Sequence, residues 1–220
     1  MKVCGVTLED DLEFLAAAGV DTVGLNFVPS SPRCLSWTRG RQLSRRAGQL
    51  GLRSVAVVRD LPTAELCDLL SQVAVDFVQL HGQESPAVVS ACRGLPIIKA
   101  TSWTGREFEA ELVAKWRPEA ETGTLVAFLV DAYAPIAGGG TGKTARWDLL
   151  QPRPAALDEV PLILAGGLTP QNVAEAIRAT QPEGVDAASG VELSPGVKSP
   201  QLVQAFVTNL PEGWKRLADN

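Results

Sequence analysis

Short apolar runs alternate along the chain with stretches whose apolar positions recur at helical spacing. Residues 2–4, 22–28, 53–58, 76–80, 96–99, 125–130, 160–164 and 185–187 are brief and largely apolar, many of them β-branched. They read as strands covered on both faces, as in a parallel sheet. Between them lie helical patterns. The first carries Leu12, Leu15, Ala16 and Val20 on one face, and Thr7 followed by Asp10 resembles a capping box at its start. A basic, polar-faced helix is predicted over 38–49, one opened by Pro62, one from Ser85 and Pro86 through Cys92, a Glu-rich one over 106–116 and a short one near 147–150. After the seventh strand, Thr169 is predicted as a cap and Pro170 as the first helical residue, ahead of an apolar stripe of Val173, Ala176 and Ile177. Ser199 and Pro200 open the last helix in the same way.

Strand and helix thus alternate eight times, mostly through short connections and without a linker. The pattern predicts a single-domain α/β protein, a (β/α)8 barrel over residues 1–220. The competing open, doubly wound sheet usually has fewer strands and carries its glycine turn after the first of them. Here the glycine turns come late: Gly166 and Gly167 follow the seventh strand, and Ser189 and Gly190 follow the eighth. Glycines there either meet the needs of a tight turn or let backbone N–H groups approach a phosphate. In barrels the phosphate site commonly lies in these two loops.

A hydrophobic content of 45% supplies a sizeable core. The net charge of −5 argues against nucleic acid or an anionic membrane as partner, since clustered Lys and Arg bind both. The opening MKVCGVTLEDD lacks the apolar core of a secretory signal, and no apolar run reaches membrane-spanning length, so a cytoplasmic protein is expected. Cys4, Cys34, Cys67 and Cys92 show no C-x-x-C spacing, and His81 is the single histidine; neither a zinc site nor a disulfide framework is indicated. Cys34, beside Arg33, is expected to be solvent-accessible.

In a barrel the C-terminal ends of all strands open on one mouth, so Cys4, Arg33, His81, Asp131 and Ser189 can converge there. Each has a plain alternative. Cys4 reads as a small buried hydrophobe or as a catalyst, and Asp131, ending an apolar strand, as a turn former or as a general acid. Arg33 is a solvated charge or a fork for a carboxylate, and His81 packs or hydrogen-bonds at a strand end. The stretch AGGGTGKT, residues 137–144, ends like a nucleotide-binding phosphate loop. The first required glycine is Ala137, however, and no clear long helix follows Lys143, so a lid over the mouth fits better than an ATP site.

Six stretches in series carry a resemblance: KVCGVT at 2–7, PSSPRCLS at 29–36, VQLHG at 78–82, then GGTGKT, AGGLTPQNV and SGVELSPGVKS. Together they resemble the phosphoribosylanthranilate isomerase family of tryptophan biosynthesis nearly end to end. The resemblance implies an aldose–ketose (Amadori) rearrangement of N-(5-phosphoribosyl)anthranilate to 1-(2-carboxyphenylamino)-1-deoxyribulose 5-phosphate, with no metal and no organic cofactor. By motif it makes Cys4 the general base and Asp131 the general acid. It places Arg33 near the anthranilate carboxylate and Gln79 and His81 at the mouth, and assigns the phosphate to Gly166, Gly167, Ser189 and Gly190. The partner implied is a small phosphosugar, bound by a monomer or homodimer. A thiol base further requires surroundings that favour the thiolate. The competing readings are a non-catalytic sugar-phosphate binder, which Cys4 with Asp131 disfavours, and another phosphosugar isomerase or epimerase barrel, a class that often shows metal-ligand histidines or an acidic pair and which the lone histidine disfavours. Ala188, Ala145, Arg146 and Ala56 depart from the family's usual residues.

Overall fold

A strand covered on both sides needs apolar residues on both faces, and eight such segments close here into a ring. The computed structural model describes residues 1–104, 107–131 and 147–214. Strands β1 (Lys2–Cys4), β2 (Thr22–Asn26), β3 (Arg53–Val58), β4 (Phe77–Leu80), β5 (Ile97–Ser102), β6 (Leu125–Asp131), β7 (Leu162–Ala165) and β8 (Gly184–Ala187) pair in parallel in chain order. β8 returns to β1, with Lys2 opposite Asp186 and Val3 opposite Ala187, and this closes the barrel.

Alternation along each strand sorts the core into two layers. Val55, Val57, Ile98, Ala100, Ala127, Leu129, Ile163 and Ala165 fill the interior, with Cys4 and Phe77 packed against them. The residues between them, among them Val3, Val23, Leu25, Ala56, Val78, Phe128, Leu164 and Val185, face outward into the layer under the helices. Those helices are α1 (Glu9–Ala17), α2 (Trp37–Gln49), α3 (Thr63–Gln72), α4 (Glu107–Lys115), α5 (Arg117–Glu121), α6 (Val173–Thr180) and α7 (Pro200–Thr208).

The (β/α)8 expectation holds, and several local expectations change. Thr7 caps nothing: α1 has Leu8 at its N-cap without a side-chain bond, and the Thr7 hydroxyl instead donates to Gly196 O at 2.6 Å. The hydroxyl serves a tertiary acceptor in place of accepting from a helix N–H. Helix α6 begins at Val173, three residues later than Thr169 and Pro170 suggested, because Asn172 Oδ1 accepts from Thr169 N and folds the entry into a turn of its own. Residues 86–92 form a 3-10 helix, and Ser85 makes no cap bond. Ser36 does cap α2, accepting from Arg39 N, and Ser199 caps α7, accepting from Leu202 N. The chain after β8 also forms an antiparallel hairpin, β9 (Glu192–Ser194) with β10 (Val197–Lys198), too short to show in the pattern. The stretch 137–144 lies outside the described residues.

Candidate active site

β1 and β6 stand three positions apart around the closed ring, with β7 and β8 between them. Cys4 and Asp131, the last residues of β1 and β6, therefore face each other across the mouth, and the glycine turns after β7 and β8 lie in the arc between. Asp131 pairs in register with Ala165, directly before Gly166. It lines a cavity of about 300 Å³ together with Arg59, His81, Ala100, Ser102 and Glu109. Another cavity, about 140 Å³, lies at the opposite end of the barrel among Met1, Asp21, Arg53 and Phe77. That second cavity is lined by strand starts and is separate from the mouth.

The two glycine loops touch. A Cβ on Gly190 would sit 1.9 Å from the carbonyl oxygen of Leu168, so only glycine lets the loop after β8 lie on the loop after β7. Gly166 and Gly167 have φ of +89° and +65°, the left-handed region that L side chains rarely adopt. Gly167 and Ser189 are exposed.

Arg33 is half-buried at the mouth, and its guanidinium does fork a carboxylate, but the partner belongs to the protein. Nε donates to Glu192 Oε1 at 2.8 Å and Nη2 to Oε2 at 2.5 Å. These bonds raise the Arg33 pKa further. Glu192 also accepts from Lys198 Nζ at 2.6 Å, and Lys198 Nζ donates to Cys4 O at 2.5 Å. Burial alone would raise the Glu192 carboxyl, yet Arg33 and Lys198 outweigh it and hold Glu192 below the usual carboxylate range. For Lys198, burial prevails and its pKa is lowered.

The thiol lies among charges. Lys2, one pleat below Cys4 on the same face of β1, donates to Asp186 Oδ2 at 2.9 Å. Burial dominates at Cys4 and raises its pKa, Lys2 and Lys198 pull it down, and Asp186 adds to the rise. The expectation that the surroundings favour the thiolate is thus corrected: the cations present offset only part of the effect of burial. Cys34 is exposed, as expected, and burial nevertheless raises its thiol pKa.

Gln79 is fully buried, and its Nε2 lies 2.7 Å from His81 Nδ1. His81 is exposed at the rim, yet it stands in a concave site near several cations. Desolvation, then Lys2, Lys99 and Arg59, lower its pKa to about 4. The ring is therefore neutral near pH 7. Below it, fully buried Lys99 donates to Leu80 O, Gly82 O and Glu84 Oε2, and Glu84 accepts from the backbone N–H groups of Asp60 and Gly82; this clamp shapes the turn that carries His81.

Lys2, Asp186, Glu192 and Lys198 were not predicted as site residues. Lys2 and Asp186 had a readable signal, a charge inside a short apolar strand, since a buried charge must find a partner. Among the described residues no three His, Cys, Asp or Glu side chains converge so as to hold a metal ion.

A family model described as N-(5'phosphoribosyl)anthranilate (PRA) isomerase matches residues 1–209. A relative from Myxococcus xanthus with that activity in its name is 42% identical over 207 residues, covering 94% of this chain and 93% of its own. The crystal structure of phosphoribosyl anthranilate isomerase from Thermotoga maritima is 32% identical with a TM-score of 0.81, covering 94% of this chain and 96% of its own. A structure of such an isomerase in complex with reduced 1-(o-carboxyphenylamino)-1-deoxyribulose 5-phosphate is 30% identical with a TM-score of 0.77 and the same coverage.

Proposed function

The chain belongs to the N-(5'-phosphoribosyl)anthranilate isomerase family and catalyses that isomerisation in tryptophan biosynthesis, and we propose that Cys4 is its general base and Asp131 its general acid. The observation that carries the assignment is the placement of these two proton-transfer groups on β1 and β6, with the touching Gly166–Gly167 and Ser189–Gly190 loops in the arc between them. A phosphate held by those loops sets the ribose between acid and base, and binding energy from this non-reacting group positions the carbons that react.

Asp131, in its acid form, protonates the ribose ring oxygen. The C1′–O bond breaks as the nitrogen lone pair forms the Schiff base. The Cys4 thiolate then takes the proton from C2′, and the electrons of that C–H bond form the enolamine, which tautomerises to the ketone. Arg33 receives the anthranilate carboxylate on the Nη1–Nη2 edge of its guanidinium, the edge that its pair with Glu192 does not use. His81, neutral and held by Gln79, hydrogen-bonds the substrate at the mouth without adding charge.

The test is a direct assay, following the loss of anthranilate fluorescence as N-(5-phosphoribosyl)anthranilate is consumed. Cys4→Ser and Asp131→Asn are each expected to lower kcat by roughly 10²- to 10⁴-fold. Near-normal turnover in either variant removes that residue from its role.

A further inference from the structure

Strand β1 has three residues, and its middle one, Val3, faces the helices; Lys2 and Cys4 therefore share the interior face, about 6.6 Å apart along the strand. Lys2 is 4% exposed and Asp186, opposite it in register on β8, is 8% exposed. An ion pair that deep is expensive to desolvate, and apolar residues of similar volume would fill the space at no loss of stability. The pair is also incompletely satisfied, since Asp186 Oδ1 is buried without a hydrogen-bond partner among the described residues. Packing alone does not account for it, whereas its place directly beneath the thiol does.

The charged groups facing Cys4 are Lys2 on its own strand, Asp186 on β8, Lys198 on the hairpin and Arg33 from the loop after β2. β2 itself presents Gly24, where a Cβ would stand 2.7 Å from Cys4 Sγ; the sulfur is therefore held in place from that side. Lys198 and Arg33 both bind Glu192, and Lys198 is directed at the Cys4 carbonyl oxygen. Lys2 is the cation that approaches the sulfur from below.

We propose that Lys2, anchored by Asp186, is a positioning residue for the base: its ammonium stabilises the Cys4 thiolate and holds it toward the mouth. The inference rests on Cys4 being the base. It makes the floor of the barrel part of the catalytic apparatus through an electrostatic contact, without any contact between Lys2 and substrate.

The experiment measures the pH dependence of Cys4 alkylation by iodoacetamide in a Cys34→Ser/Cys67→Ser background, alongside kcat and KM. Lys2→Gln keeps a donor for Asp186 without the charge. The double variant Lys2→Met/Asp186→Leu leaves no buried unpaired charge, and it decides the matter should the single variant fail to fold. In Lys2→Gln the alkylation midpoint is expected to rise by about one unit or more, slowing reaction at pH 7 about 10-fold. kcat falls by a similar factor at unchanged KM, and Lys2→Arg restores most of it. In the double variant the midpoint moves the same way by a smaller amount, because the opposing charge of Asp186 leaves as well. A folded variant, single or double, whose midpoint matches the parent overturns the inference. If Cys4→Ser keeps its turnover, the base assignment fails, while the midpoints still report on Lys2. If Cys4→Ser is inactive and the midpoints coincide, only the present inference fails.

Discussion

Arg33 meets Glu192, 159 residues further along the chain, in a two-point ion pair across the barrel mouth, with N···O distances of 2.8 and 2.5 Å. The side chain reaches there by lying over Gly5, where a Cβ would stand 2.2 Å from Arg33 Cδ. Glu192 also binds Lys198 and accepts from Gly196 N, so one carboxylate joins the loop after β2, the hairpin and β1.

Arg33→Lys keeps the charge and loses the planar fork, which a single ammonium cannot reproduce. Losing a charge-assisted bond to a carboxylate removes about 1.5–3 kcal/mol, so kcat/KM is expected to fall roughly 10- to 150-fold. Most of the fall should appear in KM, because the carboxylate lies away from the reacting carbons. A fall confined to kcat would show that Arg33 acts on the chemical step instead.

Gly190→Ala forces a methyl group against the Leu168 carbonyl oxygen, where the built Cβ lies at 1.9 Å, and two backbone segments must part. Overpacking of this kind destabilises by about 1–3 kcal/mol, readable as a lower urea midpoint. Inhibition by inorganic phosphate should weaken in the same variant. Unchanged phosphate affinity would separate this loop contact from the phosphate site.

As the single histidine, His81 gives an isolated NMR titration, expected to have its midpoint near pH 4. With Gln79 Nε2 donating to Nδ1, the ring is neutral and protonated at Nε2. The folded pKa lies below the ordinary 6.5, so between these values the unfolded chain binds more protons than the folded one. The contribution of His81 to stability is therefore complete above about pH 6.5 and declines as pH falls toward about 4. Solvent screening at the exposed rim reduces its size. A midpoint near 6.5 would show that neither desolvation nor the surrounding cations act on the ring.

Lys99→Met removes the fully buried ammonium that pairs with Glu84 and leaves three acceptors, Leu80 O, Gly82 O and Glu84 Oε2, without this donor. Breaking a buried pair from one side destabilises by about 3–5 kcal/mol. The double variant Lys99→Met/Glu84→Leu should recover part of this loss in denaturant titrations. His81 should lose its fixed place in the singly substituted protein, giving a broadened ring resonance.

Much of the architecture was legible because it follows from local rules. Buried strands must be apolar on both faces, amphipathic helices must repeat at their own spacing, and eight alternations leave few ways to close. Cys4, Asp131 and the late glycines were also legible, since strand ends and short turns occupy known places in a barrel. Helix entry was less so: Thr7 and Thr169 carry the right hydroxyl, but Gly196 O and Asn172 respectively draw these segments into other bonds.

The sequence by itself determined the order of the elements, the closed barrel they make and the set of residues delivered to its mouth. Tertiary structure alone decided what those residues meet. Arg33 finds Glu192, Lys2 finds Asp186, Lys99 finds Glu84, and Gly190 rests on Leu168. All four contacts join residues in different elements or loops of the barrel and depend on closure and register, which no local pattern encodes. The electrostatic state of the thiol follows from the same source: a cysteine in a motif does not show its burial or the cations around it, and those set its charge.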